Sequence, residues 1–234
     1  FSMQTRGLRG KILRKILLAK SRKSLVRVKI DDDKTVPETL SENWTAKDPR
    51  ILRVEPNYHV YALETPNDPY LSYLWGLYNN GQTGGTANSD IRMLQAWDIT
   101  TGSSDVMVAV IDSGVDYTHP DLVNQIWVNT NEIPGNGIDD DNNGYIDDRF
   151  GYDFSANDSD PYDENGHGTH CAGTIAAEGN NNIGITGINW RCKIMACRFL
   201  DAEGSGTVTD AIEAINYAVA NGARILSNSW GGGG

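Results

Sequence analysis

The sequence has only three cysteines, too few for the disulfide framework that holds small extracellular domains together. It also has no uninterrupted apolar run that approaches the roughly 18–20 residues of a membrane-spanning helix. Cys197 lies within the apolar run 193–200 and is expected to be an ordinary buried core side chain. A chain of 234 residues is long enough for one sizeable core and a small appendage. These features predict a core-forming chain with no membrane span.

Basic residues are scarce in the larger, C-terminal part of the chain. Residues 65–234 have 6 Lys and Arg against 23 Asp and Glu, a net charge of −17. Residues 1–64 have 14 against 8, a net charge of +6. The acidic part disfavours a nucleic-acid partner and favours bound cations. The basic part carries no nucleic-acid motif, and we interpret it as a surface that complements an acidic neighbour. The asymmetry predicts two units, 1–64 and 65–234.

From Val106 onward, apolar strand-like runs alternate with segments of helical periodicity. The predicted strands are 106–111, 193–200 and 223–228, and the predicted helices are 169–177 and 208–221. Apolar strands separated by helices indicate an α/β fold, a doubly wound and mostly parallel sheet with helices on both faces. Active groups gather beyond the carboxyl ends of such strands. Asp112 is expected at that position because it directly follows the first strand.

The first 64 residues have mixed patterns, which predict a small α+β module. Apolar residues at helical spacing predict a helix over 11–18, and strict alternation predicts a strand over Ser24–Ile30. A weaker helical pattern covers 36–44. A further strand, broken at Pro56, is predicted over 50–61.

Two short motifs contain the residues with catalytic potential. An apolar run ends in Asp112-Ser113-Gly114, and His167 lies among glycines at the start of a helix of small residues. A serine hydroxyl is a weak nucleophile near neutral pH, so it needs a base within reach and an acid that orients that base. Aspartate and histidine suit these two roles. The glycines allow backbone and substrate to approach the imidazole closely.

Asp-Ser-Gly at 112–114 and Gly-His-Gly-Thr-His at 166–170 resemble the subtilisin-like serine proteases, the subtilase family. In that family the active-site residues follow the order Asp, His, Ser. The resemblance implies that Asp112 is the orienting acid and His167 the general base of a serine endopeptidase that cleaves polypeptides. We expect the serine and the oxyanion-hole asparagine beyond Gly234, so that the subtilisin-like sheet is truncated at its C-terminus. A monomer is expected.

Other nucleophile or base candidates are expected to be structural. Cys171 follows His167 by one helical turn and should pack beneath it rather than attack a substrate. His119 lies in a turn after Asp112, and His170 is adjacent to the catalytic motif. His59 lies in the predicted strand of the N-terminal module.

Two glycine-containing segments match those that in the family hold an extended substrate as an added strand. Small residues expose backbone donors and acceptors for such pairing. The implied substrate-binding residues are Gly204, Ser205, Gly206, Ser229, Trp230 and Gly231.

An acidic loop begins like a calcium-binding EF-hand loop. Oxygen donors occur at Asp139, Asp141 and Asn143, and a backbone carbonyl is expected from Tyr145. The twelfth position is Phe150 rather than glutamate, so Asp147 or Asp148 must complete the shell, and we favour Asp148. Some subtilases have such a calcium insertion between the Asp and His motifs. The predicted cofactor is Ca²⁺.

Resemblance to thermitase-like subtilases implies a second Ca²⁺ site. Asp68, Asp121 and Asn181 would supply side-chain oxygens. Glu178, Ile183 and Ile185 would supply mainly backbone carbonyls.

The phrase Val54-Glu55-Pro56-Asn57-Tyr58 looks like the end of an inhibitor-type subtilase propeptide. It implies that residues 1–64 are an intramolecular inhibitor of the catalytic domain. A subtilase of this kind is expected to be secreted or in the secretory pathway, with any signal peptide before Phe1. The alternative is a catalytically inactive homologue that acts as a peptide- or calcium-binding module.

Overall fold

The chain divides into two compact units, residues 1–61 and residues 62–234. A computed structural model describes the backbone of residues 10–17 and 24–30, together with residues 51–56 and 65–232. The predicted helix over 36–44, residues 57–61 of the predicted last N-terminal strand, and His59 lie outside these ranges. No helix in the described ranges has both the length and the apolar character needed to cross a bilayer.

The first unit contains an antiparallel pair of strands, β1 (Gly10–Leu17) and β2 (Ser24–Ile30). The predicted strand over Ser24–Ile30 is confirmed. The predicted helix over 11–18 is wrong, since β1 occupies that segment. The register shifts between Ile12 and Arg14. A bulge of this kind adds one residue and breaks the two-residue alternation, which leaves a spacing that imitates a helix.

Residues 51–56 have no regular secondary structure, so the strand predicted over 50–61 is wrong in this part. Leu52 is 65% exposed, and Arg53 pairs with Glu55 at 2.9 Å on the surface. Without a buried face, the apolar side chains of this run gain little from a strand conformation.

The second unit is built on a four-stranded parallel sheet in the order β4-β5-β3-β6. Its strands are β3 (Gly102–Asp112), β4 (Gly151–Asp153), β5 (Arg191–Arg198) and β6 (Ile225–Ser227). The helices are α1 (Met93–Trp97), α2 (His167–Ala176) and α3 (Val208–Ala220), after a 3₁₀ turn at Leu71–Tyr73. The predicted α/β fold with a parallel sheet is confirmed, and element ends differ from prediction by a few residues.

Both faces of the central strand β3 are buried, and alternate residues enter different clusters. The first cluster joins β3 to α2 and includes Val108, Val110, Ala172 and Ala176. The opposite cluster joins β3 to α3 and includes Ala109, Ile111, Ala214 and Tyr217. Alanines on α2 let this helix lie close to the sheet. The first residue of α2 is thereby held near the carboxyl end of β3.

Candidate active site

Asp112 is the last residue of β3 and is fully buried. Its backbone carbonyl accepts hydrogen bonds from Phe199 and Leu200, which follow β5. Its Oδ1 atom accepts a 2.7 Å hydrogen bond from the backbone of Ser113. The carboxylate is therefore fixed by the end of the sheet.

His167 is the first residue of α2, immediately after Gly166, whose φ of 98° is readily adopted only by glycine. Its Nδ1 lies 2.7 Å from Oδ1 of Asp112. The imidazole is 49% exposed, whereas the Asp112 side chain is 1% exposed. A buried carboxylate thus holds one nitrogen of a ring whose other nitrogen, Nε2, can face a substrate.

The hydrogen bond to the Asp112 carboxylate and the negative charge of Asp112 raise the pKa of His167, while partial burial acts in the opposite direction. A carboxylate at Nδ1 favours the tautomer with the proton on Nδ1, which leaves Nε2 as the acceptor. This arrangement can accept a proton from a hydroxyl and hold the resulting imidazolium.

Two glycines permit the close approach of α2 to the end of β3. A Cβ atom at Gly168 would overlap the carbonyl oxygen of Gly114. Gly114 has a φ of 105°, and a Cβ there would lie 2.6 Å from the carbonyl oxygen of Pro161. Any larger residue at these positions would push the histidine away from Asp112.

Asp163, which the sequence analysis missed, is buried beside this pair. It accepts hydrogen bonds from the hydroxyl of Ser113 at 2.9 Å and of Thr169 at 2.6 Å. Backbone groups of Asn165, Gly166 and Thr169 also donate to it. Burial alone would raise the pKa of Asp163, but the hydrogen bonds, led by that of Thr169, outweigh burial and lower it. Its position ahead of a helix start was the available signal.

Arg198, at the end of β5, was also missed. It forms ion pairs with Asp153 at 3.2 Å and Glu164 at 2.7 Å, and it donates to the carbonyl of Tyr162 at 2.9 Å. Its side chain is 11% exposed. This buried cation ties the segment before α2 to the sheet, and it neutralises part of the acidic surroundings.

The other candidate residues lie in different settings. His119 accepts a 3.2 Å hydrogen bond at Nδ1 from the backbone of Asp121, so it is part of a turn. His170 is exposed on α2. The sulfur of Cys171 lies within 4.8 Å of ligand atoms of Asp112 and His167. Cys171 is therefore beside the pair, one helical turn beyond His167.

The two predicted substrate segments converge on Phe199. A Cβ at Gly206 would overlap the carbonyl oxygen of Phe199. Trp230 packs edge-on against the Phe199 ring at 4.9 Å and donates to the carbonyl of Ile111 at 2.8 Å. Gly204, Ser205, Ser229 and Gly231 are exposed beside them. Both segments therefore lie next to the end of β3 that holds Asp112.

The predicted acidic calcium loop brings carboxylates together, with one addition. Oxygens of Asp139, Asp141 and Glu132 lie within 4.8 Å of one another. Glu132, which precedes the loop, was missed by the sequence analysis. Within the described ranges, none of the three forms an ion pair with a basic residue. Three hard oxygen donors without a cationic partner fit Ca²⁺.

The remaining residues of this loop have structural partners. Asp148 is fully buried and accepts hydrogen bonds from Asn129, Asn143 and Tyr217. The hydroxyl of Tyr217 lies 2.6 Å from Asp148, and the Asn143 side-chain oxygen accepts from the backbone of Tyr145. Asp147 instead accepts from backbone groups at positions 135–137. Of the two residues considered to complete the shell, Asp148 is the one that contacts a predicted ligand side chain of the loop, Asn143.

The second predicted calcium set also assembles, around buried Asp68 and Asp121. Asn181 donates its side-chain amide to Asp121 at 2.8 Å, and its backbone amide lies 3.4 Å from Asp68. Burial raises the pKa of Asp68, and the nearby charge of Asp121 adds to this effect. A cation between the carboxylates would relieve that repulsion. The Asn181 amide would have to turn its oxygen toward such an ion.

The residues predicted to supply backbone carbonyls to this second site lie beside the same two aspartates. Ile185 donates its backbone amide to Asp121 at 2.9 Å, and Glu178 donates its own to the Asp121 carbonyl at 2.9 Å. Ile183 donates to the side-chain oxygen of Asn181 at 2.7 Å. The sequence analysis thus grouped residues that are neighbours in space, and their oxygen-rich set is compatible with Ca²⁺.

Comparison with known proteins gives consistent matches. Residues 103–234 match the family model described as "Subtilase family". A thermophilic serine proteinase of Bacillus sp. (strain AK1) is 39% identical over 205 residues, which are 87% of this chain and 42% of that protein. Subtilisin-like protease 1 of Plasmodium berghei (strain Anka) is 40% identical over 168 residues, 70% of this chain and 26% of that protein.

A solved structure is similar as well. The serine protease of Aeromonas sobria, crystallised in complex with the chaperone ORF2, has a TM-score of 0.54 and 26% identity. The match covers 72% of this chain and 26% of that one. The chain therefore spans less than half of the length of each of these relatives.

Proposed function

The chain belongs to the subtilase family, and we propose that it is the N-terminal part of a serine endopeptidase. Asp112 is the orienting acid and His167 is the general base. The observation that supports these roles best is the 2.7 Å contact between the half-exposed imidazole and a buried carboxylate. The nucleophilic serine would be supplied by sequence after Gly234, in the portion of the relatives that this chain does not cover.

The proposed reaction begins when Nε2 of His167 takes the proton of the serine hydroxyl. The serine oxygen then bonds to the carbonyl carbon of the substrate, and Asp112 stabilises the imidazolium. His167 returns its proton to the amine as the peptide C–N bond breaks, which leaves an ester on the serine. Water, deprotonated by His167, then bonds to the ester carbon, and His167 returns that proton to the serine oxygen as the C–O bond breaks and the acid is released. Each step needs the histidine in the geometry that Asp112 imposes.

An extended peptide would bind between the two segments that flank Phe199. The backbone amide and carbonyl of Ser205 and the amide of Gly204 are already bonded to Asp201, so the carbonyl of Gly204 and the backbone of Gly206 would pair with the substrate. Gly206 allows this segment to lie close to Phe199, because a side chain at position 206 would overlap Phe199. Ser229 and Gly231 would pair with the opposite edge of the peptide. Trp230 would anchor its own segment through Ile111.

Calcium is the proposed structural cofactor, bound at the two oxygen-rich sets. Glu132, Asp139, Asp141 and the loop oxygens of Asn143, Tyr145 and Asp148 would hold one ion. Asp68, Asp121, Asn181 and carbonyls of Glu178, Ile183 and Ile185 would hold another. Each ion would neutralise the clustered carboxylates of its own site and so stabilise the native loops.

Residues 1–64 are proposed to be an inhibitory propeptide, and the protein is proposed to act as a monomer in the secretory pathway or outside the cell. Opposite net charges of the two parts support this pairing, +6 against −17. The Aeromonas sobria protease also has a separate chaperone partner.

The activity is tested by hydrolysis of an unfolded protein substrate by the full-length, matured protein. We expect turnover that a serine-directed inhibitor abolishes and that Asp112→Asn lowers by about 10⁴. An inactive homologue would bind peptide or Ca²⁺ without turnover, and inhibitor and variant would then change nothing.

A further inference from the structure

The buried carboxylate of Asp163 lies where three parts of the candidate active site meet. These parts are the end of β3, the turn 165–166 and the first turn of α2. Each part donates at least one hydrogen bond to Asp163. We propose that Asp163 is a positioning residue, which fixes the distance between Asp112 and His167. The proposal rests on the catalytic roles given above.

The first contact reaches the strand that contains Asp112. Ser113 directly follows Asp112, and its hydroxyl donates to Oδ1 of Asp163 at 2.9 Å. The same hydroxyl accepts a 3.0 Å hydrogen bond from the backbone of Gly168, the residue after His167. Ser113 is 1% exposed, so water cannot readily replace either bond. The Ser113 hydroxyl therefore connects Asp163 to the backbone next to Asp112 and, through Gly168, to the backbone next to His167.

The second set of contacts orients the start of α2. Oδ2 of Asp163 accepts from the backbone of Thr169 at 2.8 Å and from its hydroxyl at 2.6 Å. Oδ1 accepts from Gly166 at 2.8 Å and from Asn165 at 3.0 Å. Gly166, at the N-terminal cap, has no side chain that could accept hydrogen bonds from the free backbone N–H groups of the first turn of α2. Asp163 takes over that role and holds the backbone on both sides of His167.

The negative charge of Asp163 adds a second effect. Within the part of the chain that the structure describes, the ionisable groups around His167 are Asp112 from β3, Asp163 from the preceding segment, and Cys171 from α2 itself. Asp163 raises the pKa of His167, although by less than Asp112 does. A residue that only stabilised the fold would not be expected to change how His167 titrates. This difference makes the proposal testable.

The test compares Asp163→Asn with the wild type in the full-length protein. An asparagine has the same shape, but its NH₂ group would face donors that now point at an oxygen. We expect kcat to fall about 10- to 100-fold because the imidazole is misplaced, with KM changed less than threefold. The acidic limb of the kcat/KM profile should move to lower pH, since the imidazolium loses a stabilising charge. The matched control is Asp90→Asn, since the Asp90 side chain is 5% exposed and accepts from the backbones of Asn79 and Arg92.

NMR of the His167 ring separates this proposal from the activity itself. In Asp163→Asn, we expect His167 to titrate at lower pH and its hydrogen-bonded Nδ1 proton to lose its far-downfield signal. Asp90→Asn should leave both unchanged. If the wild type has no peptidase activity, the proposed function fails, while the ring measurements still decide the positioning role. If Asp163→Asn does not fold, Ser113→Ala leaves the other donors to Asp163 in place, removes only the two bonds of the Ser113 hydroxyl, and should weaken the Nδ1 signal. An unchanged His167 titration and Nδ1 signal in a folded variant would overturn the proposal.

Discussion

The hydroxyl of Tyr217 donates a 2.6 Å hydrogen bond to Oδ2 of Asp148 in the protein interior. Tyr217 lies on α3 and is 2% exposed, and Asp148 lies in the acidic loop and is fully buried. Burial, assisted by the charge of Asp148, raises the pKa of Tyr217. The phenol therefore remains protonated as a donor. This bond attaches the proposed calcium loop to the helix that packs beneath the sheet.

Tyr217→Phe should destabilise the protein, because Asp148 loses a donor where no water can replace it. We expect a loss of about 1–3 kcal/mol in the free energy of unfolding, measured with urea. Tyr145→Phe is the matched control, since that ring lies 4.8 Å from Tyr217 and belongs to the same aromatic cluster. Equal losses in both variants would contradict a specific role for the Tyr217–Asp148 bond.

Calcium removal should lower the thermal midpoint of the full-length protein. A ligand that binds only the native state stabilises it by about 2.7 kcal/mol at a hundredfold excess over Kd. Asp141→Asn should reduce the difference between calcium and chelator, partly because it relieves repulsion in the metal-free form. Asp105→Asn, at an exposed position of β3, should leave the difference intact. A midpoint that chelation does not change would eliminate the calcium proposal.

A peptide of residues 1–64, added to matured full-length enzyme, should inhibit it. The opposite charges of the two parts should speed association, so inhibition should weaken at high salt. The assay is substrate hydrolysis at low and high ionic strength. A scrambled peptide of the same composition controls for charge alone. No inhibition at either salt concentration would exclude the propeptide role.

Local patterns were sufficient to predict the strands β3, β5 and β6 and the helices α2 and α3, but not the short strand β4 or the short helix α1. The apolar run before Asp112 predicts a strand because β3 is buried on both faces of the sheet. The small residues after His167 predict a helix that packs closely against that sheet. The strand β1 was missed because its bulge near Ile12 disturbs the alternation. Errors of this kind arise where pairing with another strand, rather than the segment itself, determines the conformation.

The missed site residues depend on contacts that are distant along the chain. Asp163 meets Ser113 fifty positions away, and no spacing rule links the two. Glu132 precedes the loop whose carboxylates it approaches, so a pattern that starts at Asp139 cannot include it. Asp112 and His167, by contrast, could be predicted because the residues next to them in the sequence form part of their structural environment. Glycines at 114 and 168 record the close approach of the two segments in the sequence itself.

The most direct test of the central claim is labelling of the full-length protein by a serine-directed fluorophosphonate. Labelling requires an activated serine, so it reports the assembled base and acid rather than peptide binding. We predict labelling of the wild type, loss of labelling in His167→Ala, and labelling close to wild type in His119→Ala, whose ring serves only a turn. Undiminished labelling of His167→Ala would contradict the assignment of His167 as the catalytic base.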